Sequence, residues 1–197
     1  MTTIDFWYEF ASTYSYPAAM RIERRARMEG VTLRWRPFLL GPIFSSHGWN
    51  DSPFNLYPAK GRYMWRDLER ICAKESLPLK LPPLRFPQNG LKAARIALVL
   101  AKDRRIGDFS RRVYTASFAE QKDISEDETL AGILRTLDLD PAVVVAAANT
   151  PENKAKLKAQ TEEAIGHGIF GAPSFTVGEE LFWGGDRLDD AIGWAKR

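Results

Sequence analysis

Cysteine is almost absent from this chain of 197 residues, because Cys72 is the only one. A single thiol excludes an internal disulfide and a metal site built on a pair of cysteines. It also fits a reducing compartment, so we expect a cytoplasmic location. Histidine is nearly as scarce, and neither His47 nor His167 has a spacing that assigns it as a catalytic base. Since HExxH and EF-hand motifs are missing as well, we expect no metal.

Long hydrophobic runs are also missing. No apolar stretch approaches the roughly 18 residues that a membrane-spanning helix needs. The N-terminal sequence MTTIDFWYEF lacks a basic segment followed by an apolar core, so no signal peptide is evident. The sequence contains neither a P-loop nor a GxGxxG motif after a strand. We therefore expect no membrane partner and no nucleotide site of these two kinds.

Neither sign of charge is in large excess. The chain has 28 Lys and Arg against 25 Asp and Glu, which gives a formal net charge of +3. The arginines are spread along helical segments rather than gathered in one block, which favours solvated helix faces over a nucleic-acid site. A composition of 45% hydrophobic and 27% charged residues is ordinary for a globular protein. The length fits one domain, or one domain with a large insertion.

The segment FASTYSYPAA, residues 10–19, lies between a predicted strand and a predicted helix. Before it, Ile4, Phe6 and Tyr8 alternate with other residues as on one face of a strand, and after it the apolar residues follow helical spacing. The turn therefore places Ser12 and Ser15 at a helix N-terminus, where free N–H groups and the helix dipole favour an anion. Thioredoxin-like proteins carry Cys-x-x-Cys at this junction. Here the spacing is kept, but both ends are serine.

Two interpretations of Ser12 remain open. Serine is a favoured N-cap, so one of the two hydroxyls could simply cap the helix. Without an adjacent base, serine is a poor nucleophile. A hydroxyl at this position is better suited to donate a hydrogen bond to a thiolate, and such a bond is worth roughly 1.5–3 kcal/mol. That energy would lower a thiol pKa by about one to two units from its usual value near 8.5. The sulfur would have to come from a cofactor.

The rest of the chain predicts an α/β fold of thioredoxin type with a large all-helical insertion. Residues 31–38 alternate again, so strand, helix and strand form a βαβ unit with parallel strands. The stretch 41–58 is predicted to be a long irregular loop rich in aromatics, followed by helices that include capping signals at Ser125, Asp140 and Thr150. A strand, hairpin and helix close the chain. We expect residues 1–40 and 166–197 to form the thioredoxin-like domain, and residues 41–165 to form an inserted loop and helical subdomain.

Four further features of the chain have both a structural and a functional interpretation. Pro173 is either an ordinary proline at a strand entry or a cis-proline whose preceding backbone pairs with a bound peptide. Asp186 either caps the last helix or binds an amino group, with Gly184 and Gly185 letting a ligand approach closely. Lys60 is either solvated or a carboxylate partner. The aromatic loop either covers the helical block or forms the wall for a flat substrate.

Five segments together resemble the 2-hydroxychromene-2-carboxylate isomerases, which are relatives of kappa-class glutathione transferases and DsbA-like oxidoreductases. These segments are FASTYSYPAA, WRPFLLGPIF, SPFNLYPAKGRYMWRDLER, FGAPSF and FWGGDRL. The resemblance implies a DsbA-like thioredoxin fold with a helical insertion, glutathione as cofactor, a small aromatic substrate and a homodimer. It also implies an enzyme that opens the chromene ring and isomerises the product from cis to trans.

The resemblance also assigns roles to residues of this chain. It implies that Ser12 is the catalytic serine that holds the glutathione sulfur as a thiolate. The other implied cofactor-binding residues are Lys60, Ala172, Pro173, Trp183, Gly184, Gly185 and Asp186. The implied substrate-binding residues are Phe44, Asn50, Asp51, Ser52, Pro53, Phe86 and Pro87. Two positions depart from the family pattern, because Thr13 replaces a proline and Gly185 replaces the serine of kappa-type relatives.

Two other functions remain open at this point. A kappa-like transferase would conjugate glutathione to an electrophile at the same site. A thioredoxin-like binding protein would bind without catalysis. Disulfide exchange is disfavoured, because Cys-x-x-Cys has become Ser-x-x-Ser.

Overall fold

A computed structural model describes residues 2–197. Its helices and strands follow one another in the predicted order, beginning with a βαβ unit and ending with a hairpin and a helix. In chain order they are β1 (Thr3–Tyr8), α1 (Ser15–Met28), β2 (Thr32–Pro37), α2 (Leu40–Ser46), α3 (Pro53–Leu56), α4 (Pro58–Lys74), α5 (Leu91–Leu100), α6 (Ile106–Phe118), α7 (Asp127–Arg135), α8 (Pro141–Ala148), α9 (Pro151–Gly166), β3 (Ser174–Val177), β4 (Glu180–Trp183), a 3₁₀ turn (Gly185–Arg187) and α10 (Leu188–Ala195).

The sheet has four strands in the order β2-β1-β3-β4. Strand β1 runs parallel to β2, as the βαβ pattern predicted, and antiparallel to β3, so that Phe6 lies between Trp35 and Phe175. Because β1 is central, helices cover both of its faces. The predicted inward residues are buried, and Trp7 on the opposite face is equally buried against Phe38. The order and pairing of these elements confirm the thioredoxin-like α/β fold with helices between β2 and β3.

Helix α4 buries the apolar residues of one of its sides in the hydrophobic core. Met64, Leu68 and Cys72 lie on one side of the helix and are all buried. Burial raises the pKa of the Cys72 thiol to about 11, so it stays protonated at neutral pH. Cys72 is therefore a thiol of the core. Among residues 2–197, no helix is long and apolar enough to cross a membrane.

The prediction of an irregular loop over 41–58 is wrong. This stretch contains α2, α3 and the start of α4. The Ser52 hydroxyl accepts the Phe54 N–H at 3.3 Å, and Pro53 takes the first position of α3. Proline suits that position because its missing N–H would have no partner within the helix. The prolines that suggested a loop therefore begin short helices instead.

The helix caps are as predicted at two places and different at a third. The side chains of Asp140 and Thr150 accept backbone N–H groups at the starts of α8 and α9. The predicted capping box at Ser125 is wrong, because the Ser125 hydroxyl donates to Asp123 at 2.6 Å instead of accepting from α7. The proposed division into a thioredoxin-like domain and an inserted subdomain stays a prediction.

Candidate functional site

A cleft of about 1510 Å³ lies at the carboxyl end of β1. The β1–α1 turn and the segment around the Ala172–Pro173 peptide form one wall. Helices α2 to α4 and the connector before α5 form the other. Every residue to which the resemblance gives a role lines this cleft: Ser12, Phe44, Asn50, Asp51, Ser52, Pro53, Lys60, Phe86, Pro87, Ala172, Pro173, Trp183, Gly184, Gly185 and Asp186. The fold thus brings together residues that lie far apart in the sequence.

Ser12 is at the centre of this wall. Its hydroxyl donates to the Ala172 carbonyl at 2.9 Å and accepts the Ser15 N–H at 3.3 Å. The second bond stays within the turn, and the N-cap of α1 is Tyr14 without a side-chain cap, so the interpretation of Ser12 as the helix cap is wrong. The first bond joins the start of α1 to the peptide before Pro173, across 160 residues of chain. The hydroxyl proton can turn towards another acceptor in the cleft, because the carbonyl bond is its single donated bond.

The peptide bond between Ala172 and Pro173 is cis, as the second interpretation of this proline predicted. The Pro173 carbonyl accepts the Gly184 N–H at 2.9 Å. Gly185 packs beside the same turn, since a side chain there would contact the carbonyl of Tyr14 at 3.6 Å. The Ser12 turn, the cis-proline and the segment after β4 therefore form one continuous surface.

Asp186 extends from that surface into solvent. Its carboxylate lies 3.7 Å from the Arg187 Nε and is 76% exposed. It caps neither the 3₁₀ turn nor α10, so the structural interpretation of Asp186 is wrong. Gly184 adopts φ of +106°, which L side chains rarely adopt, and a side chain there would collide with the Asp186 carboxylate. Glycine at this position keeps the carboxylate accessible.

The opposite wall is built from aromatic rings and one lysine. The Lys60 ammonium lies 5.4 Å from the centre of the Tyr57 ring, within the range of a cation–π contact. Phe44 packs against Trp49 at 5.7 Å between ring centres. Phe86 packs edge-on against Trp65 at 4.9 Å. The rings of Phe44, Trp49 and Phe86 make part of this wall apolar and suited to a flat ring.

The segment 50–53 has less freedom than its assigned role suggests. The Asp51 carboxylate accepts the Ser52 N–H at 2.6 Å and the amide of Asn55 at 3.1 and 3.0 Å. Asn55 also donates to the Phe86 carbonyl at 3.3 Å. Since Ser52 caps α3, the side chains of Asp51 and Ser52 hold the wall together. Their contact with a substrate stays a prediction.

Sequence reasoning missed several polar residues that also line the cleft. The Tyr14 hydroxyl donates to the Asp67 carboxylate at 3.2 Å. Arg21 bonds Glu75 at 2.9 Å and the Gly185 carbonyl at 3.1 Å, so it ties α1 to α4 and to the segment after β4. None of these side chains belongs to a short motif. Their pairing becomes visible only when the helices are assembled.

Glu9 is the most unusual of the missed residues. It follows β1 directly and is only 9% exposed, yet it lines the cleft. Burial raises the pKa of its carboxyl to about 7, although hydrogen bonds from the backbone of Ala11 and Ser12 lower it in part. A carboxyl with such a pKa in a cleft is a candidate functional group. Within residues 2–197, no group of three or more His, Cys, Asp or Glu side chains is arranged to hold a metal ion.

Comparisons with known proteins identify relatives that match nearly the whole chain. The family model described as DSBA-like thioredoxin domain matches residues 3–191. A 2-hydroxychromene-2-carboxylate isomerase of Sphingobium xenophagum is 30% identical over 189 residues, which are 95% of this chain and 94% of the relative. Glutathione S-transferase kappa 1 of Caenorhabditis elegans is 26% identical over 200 residues, which are 94% of this chain and 87% of the relative.

Solved structures show the same fold. A structure of 2-hydroxychromene-2-carboxylate isomerase has a TM-score of 0.87 and 23% sequence identity, and the likeness covers 99% of this chain and 96% of that one. The family match, the near full-length relatives and the Ser12 turn opposite the cis-proline lead to one conclusion. The chain belongs to the DsbA-like thioredoxin family and, within it, to the 2-hydroxychromene-2-carboxylate isomerases that are related to the kappa-class glutathione transferases.

Proposed function

We propose that this protein is a glutathione-dependent isomerase of the catabolism of aromatic compounds. Its reaction would open the ring of 2-hydroxychromene-2-carboxylate and give trans-o-hydroxybenzylidenepyruvate. One observation carries the proposal. The Ser12 hydroxyl donates a hydrogen bond to the carbonyl of the Ala172–Pro173 peptide inside the cleft, and the β1–α1 turn that carries Ser12 has no cysteine. Relatives named as isomerases and as glutathione transferases support it.

The donors and acceptors of the cleft fit glutathione, a peptide-like thiol with two carboxylates and an ammonium. The Ser12 hydroxyl can donate to an anionic sulfur, and the N-terminus of α1 adds a favourable potential. When Ser12 turns towards sulfur, the Ala172 carbonyl becomes free to accept an amide N–H. Asp186 is an accessible partner for the ammonium group, and Lys60 is a partner for a carboxylate.

The cleft is large enough for a second molecule. Ligand pockets usually measure about 300–1,000 Å³, and this cleft of about 1510 Å³ exceeds that range. Bound glutathione would supply the sulfur that adds to the unsaturated substrate and is later eliminated, so that rotation occurs about a single bond. The protein lowers the thiol pKa through Ser12 and holds the two molecules in contact against the rings of Phe44 and Phe86.

Product analysis with purified protein tests the proposal. The trans product should appear while the glutathione concentration stays constant, because isomerisation consumes no cofactor. Loss of one glutathione per product molecule would instead identify a kappa-like transferase, which the Caenorhabditis elegans relative favours. Absence of glutathione binding at millimolar concentration in calorimetry would identify a binding protein without this catalysis.

The cytoplasmic location and the homodimer are further parts of this proposal. The family resemblance supports a dimer, and the single cysteine supports a reducing compartment. Sedimentation of the purified protein at several concentrations would show a mass of two chains. A mass of one chain at all concentrations would contradict the homodimer.

Asp186→Asn should weaken glutathione binding several-fold. The carboxylate would lose its charge-assisted bond to the ammonium group, but at 76% exposure that bond is worth only about 1 kcal/mol. Calorimetric titration with glutathione measures the change. Asp189→Asn is the matched control, because Asp189 pairs with Arg25, both lie outside the cleft, and the affinity should stay unchanged. Equal affinity of the wild type and Asp186→Asn would remove Asp186 from the cofactor site.

A further inference from the structure

Glu9 is held rigidly in the turn that carries Ser12. Its backbone carbonyl accepts the Ser12 N–H at 3.0 Å and the Tyr114 hydroxyl at 2.8 Å. Its carboxylate accepts the Ala11 N–H at 2.8 Å. Backbone and side chain are thus both fixed by donors, and Glu9 lines the cleft together with Ser12.

No cation compensates this carboxylate. Across residues 2–197, Glu9 forms no salt bridge within 4.0 Å. Three elements contribute groups that face it, and none of these groups is a cation. The turn contributes only the N–H groups of Ala11 and Ser12. The start of α5 contributes Gly90, at which a Cβ would lie 3.1 Å from the Glu9 Oε1. Helix α6 contributes Tyr114, whose pKa burial raises far above its usual value, so this hydroxyl stays neutral.

We propose that Glu9 is the proton acceptor for the thiol of glutathione bound at Ser12. This inference rests on the proposed function, since it assigns the proton of the same cofactor. Glu9 takes the proton as the S–H bond breaks, the electron pair stays on sulfur and an O–H bond forms on the carboxylate. Glu9 returns that proton when glutathione leaves as a thiol. The step is balanced and needs no oxidant, reductant or metal.

The pKa of the bound glutathione thiol and the pKa of the Glu9 carboxyl are close to each other, and this favours the proton transfer. A hydrogen bond from Ser12 lowers a thiol pKa of about 8.5 by roughly one to two units, to near 7. Burial already holds the Glu9 carboxyl near the same value. Two anions side by side in a cleft also disfavour each other, so the pair tends to share one proton. A base with a pKa near the working pH is also the most effective one.

Counting the protons released on glutathione binding tests the assignment without an activity assay. Calorimetric titrations in buffers of different ionisation enthalpy give this number. At a pH slightly above 7, most of the wild-type Glu9 is ionised and accepts the proton internally, so release to the buffer should be small. Glu9→Gln has no acceptor and should release clearly more, the larger part of one proton per glutathione. Well below pH 7 the bound thiol stays protonated in both proteins, so release should fall towards zero in each.

Two further variants complete the experiment. Glu9→Asp keeps a carboxyl and should release clearly fewer protons than Glu9→Gln. Glu179→Gln removes an exposed carboxylate outside the cleft and should behave as the wild type. Equal release by the wild type and Glu9→Gln, with glutathione bound to both, would overturn the role of Glu9 and leave the proposed function intact. Failure of the wild type to bind glutathione at all would overturn both.

Discussion

Replacing Ser12 with alanine should lower glutathione-dependent turnover by roughly 10- to 150-fold. The variant would lose the proposed hydrogen bond to the anionic sulfur, which is worth roughly 1.5–3 kcal/mol, and each 1.36 kcal/mol corresponds to tenfold in rate. The Ala172 carbonyl also loses its partner at 2.9 Å. In the proposed complex glutathione would supply its own amide N–H to this carbonyl, so binding should weaken much less than turnover. Initial rates with saturating glutathione measure the effect.

The matched control is Ser15→Ala. Ser15 belongs to the same turn, but its side chain is buried and does not line the cleft. The bond that Ser15 donates to Ser12 comes from its backbone N–H and survives the substitution. Its turnover should stay close to that of the wild type. Equal losses in both variants would indicate a structural defect of the turn rather than a role of the Ser12 hydroxyl.

Glu9→Gln should gain stability relative to the wild type as the pH rises. Burial raises the Glu9 pKa from 4.5 to about 7 in the folded protein, so the folded state holds this proton more tightly than the unfolded state. The wild type therefore loses stability from this group between pH 4.5 and about 7, and the loss is complete above that range. A shift of this size corresponds to about 3 kcal/mol. Glutamine does not titrate and avoids the loss.

Urea unfolding at several pH values measures this difference. The free energy of unfolding of Glu9→Gln minus that of the wild type should rise by about 3 kcal/mol across the window and be flat on either side of it. Glu179→Gln, an exposed change of the same kind, should leave the unfolding curve near that of the wild type. A difference between Glu9→Gln and the wild type that does not vary with pH would show that the carboxyl is not buried in solution.

The same carboxyl would then lower stability and serve the reaction. A buried, unpaired acid is a feature that selection for stability alone would remove, and such features concentrate at functional sites. Glu9→Gln is accordingly expected to be the more stable variant at neutral pH and to lose the internal proton acceptor. The Tyr114 hydroxyl and the Ala11 N–H hold Glu9 in place, although its buried carboxyl lowers the stability of the folded protein at neutral pH.

Local patterns were sufficient to predict most of the fold. The alternation of Ile4, Phe6 and Tyr8, followed by helical spacing after Ser12, predicted the βαβ unit with its parallel strands. Asp140 and Thr150 predicted helix starts because proline follows each of them. The stretch 41–58 was mispredicted because the same prolines that begin short helices also occur in loops. Local sequence does not separate these two uses of proline.

The candidate site depended on information of a different kind. No spacing rule places Ser12 against Ala172, 160 residues away, and the family resemblance supplied that expectation. Glu9 was missed because a single acid on the face of β1 opposite the predicted core suggests exposure to solvent. It is buried because Gly90 at the start of α5 and Tyr114 of α6 pack against the turn that follows β1. That packing belongs to the assembled fold and has no local signal.

The most direct test of the account is the pKa of the glutathione thiol in the bound state. The ultraviolet absorbance of the thiolate reports it as the pH is varied, for the wild type and for Ser12→Ala. We expect the bound thiol of the wild type to titrate about one to two units below the free thiol, whose pKa is near 8.5. In Ser12→Ala this shift should largely disappear. The same pKa for free glutathione and for glutathione bound to the wild type would contradict the claim that Ser12 keeps a borrowed sulfur negatively charged.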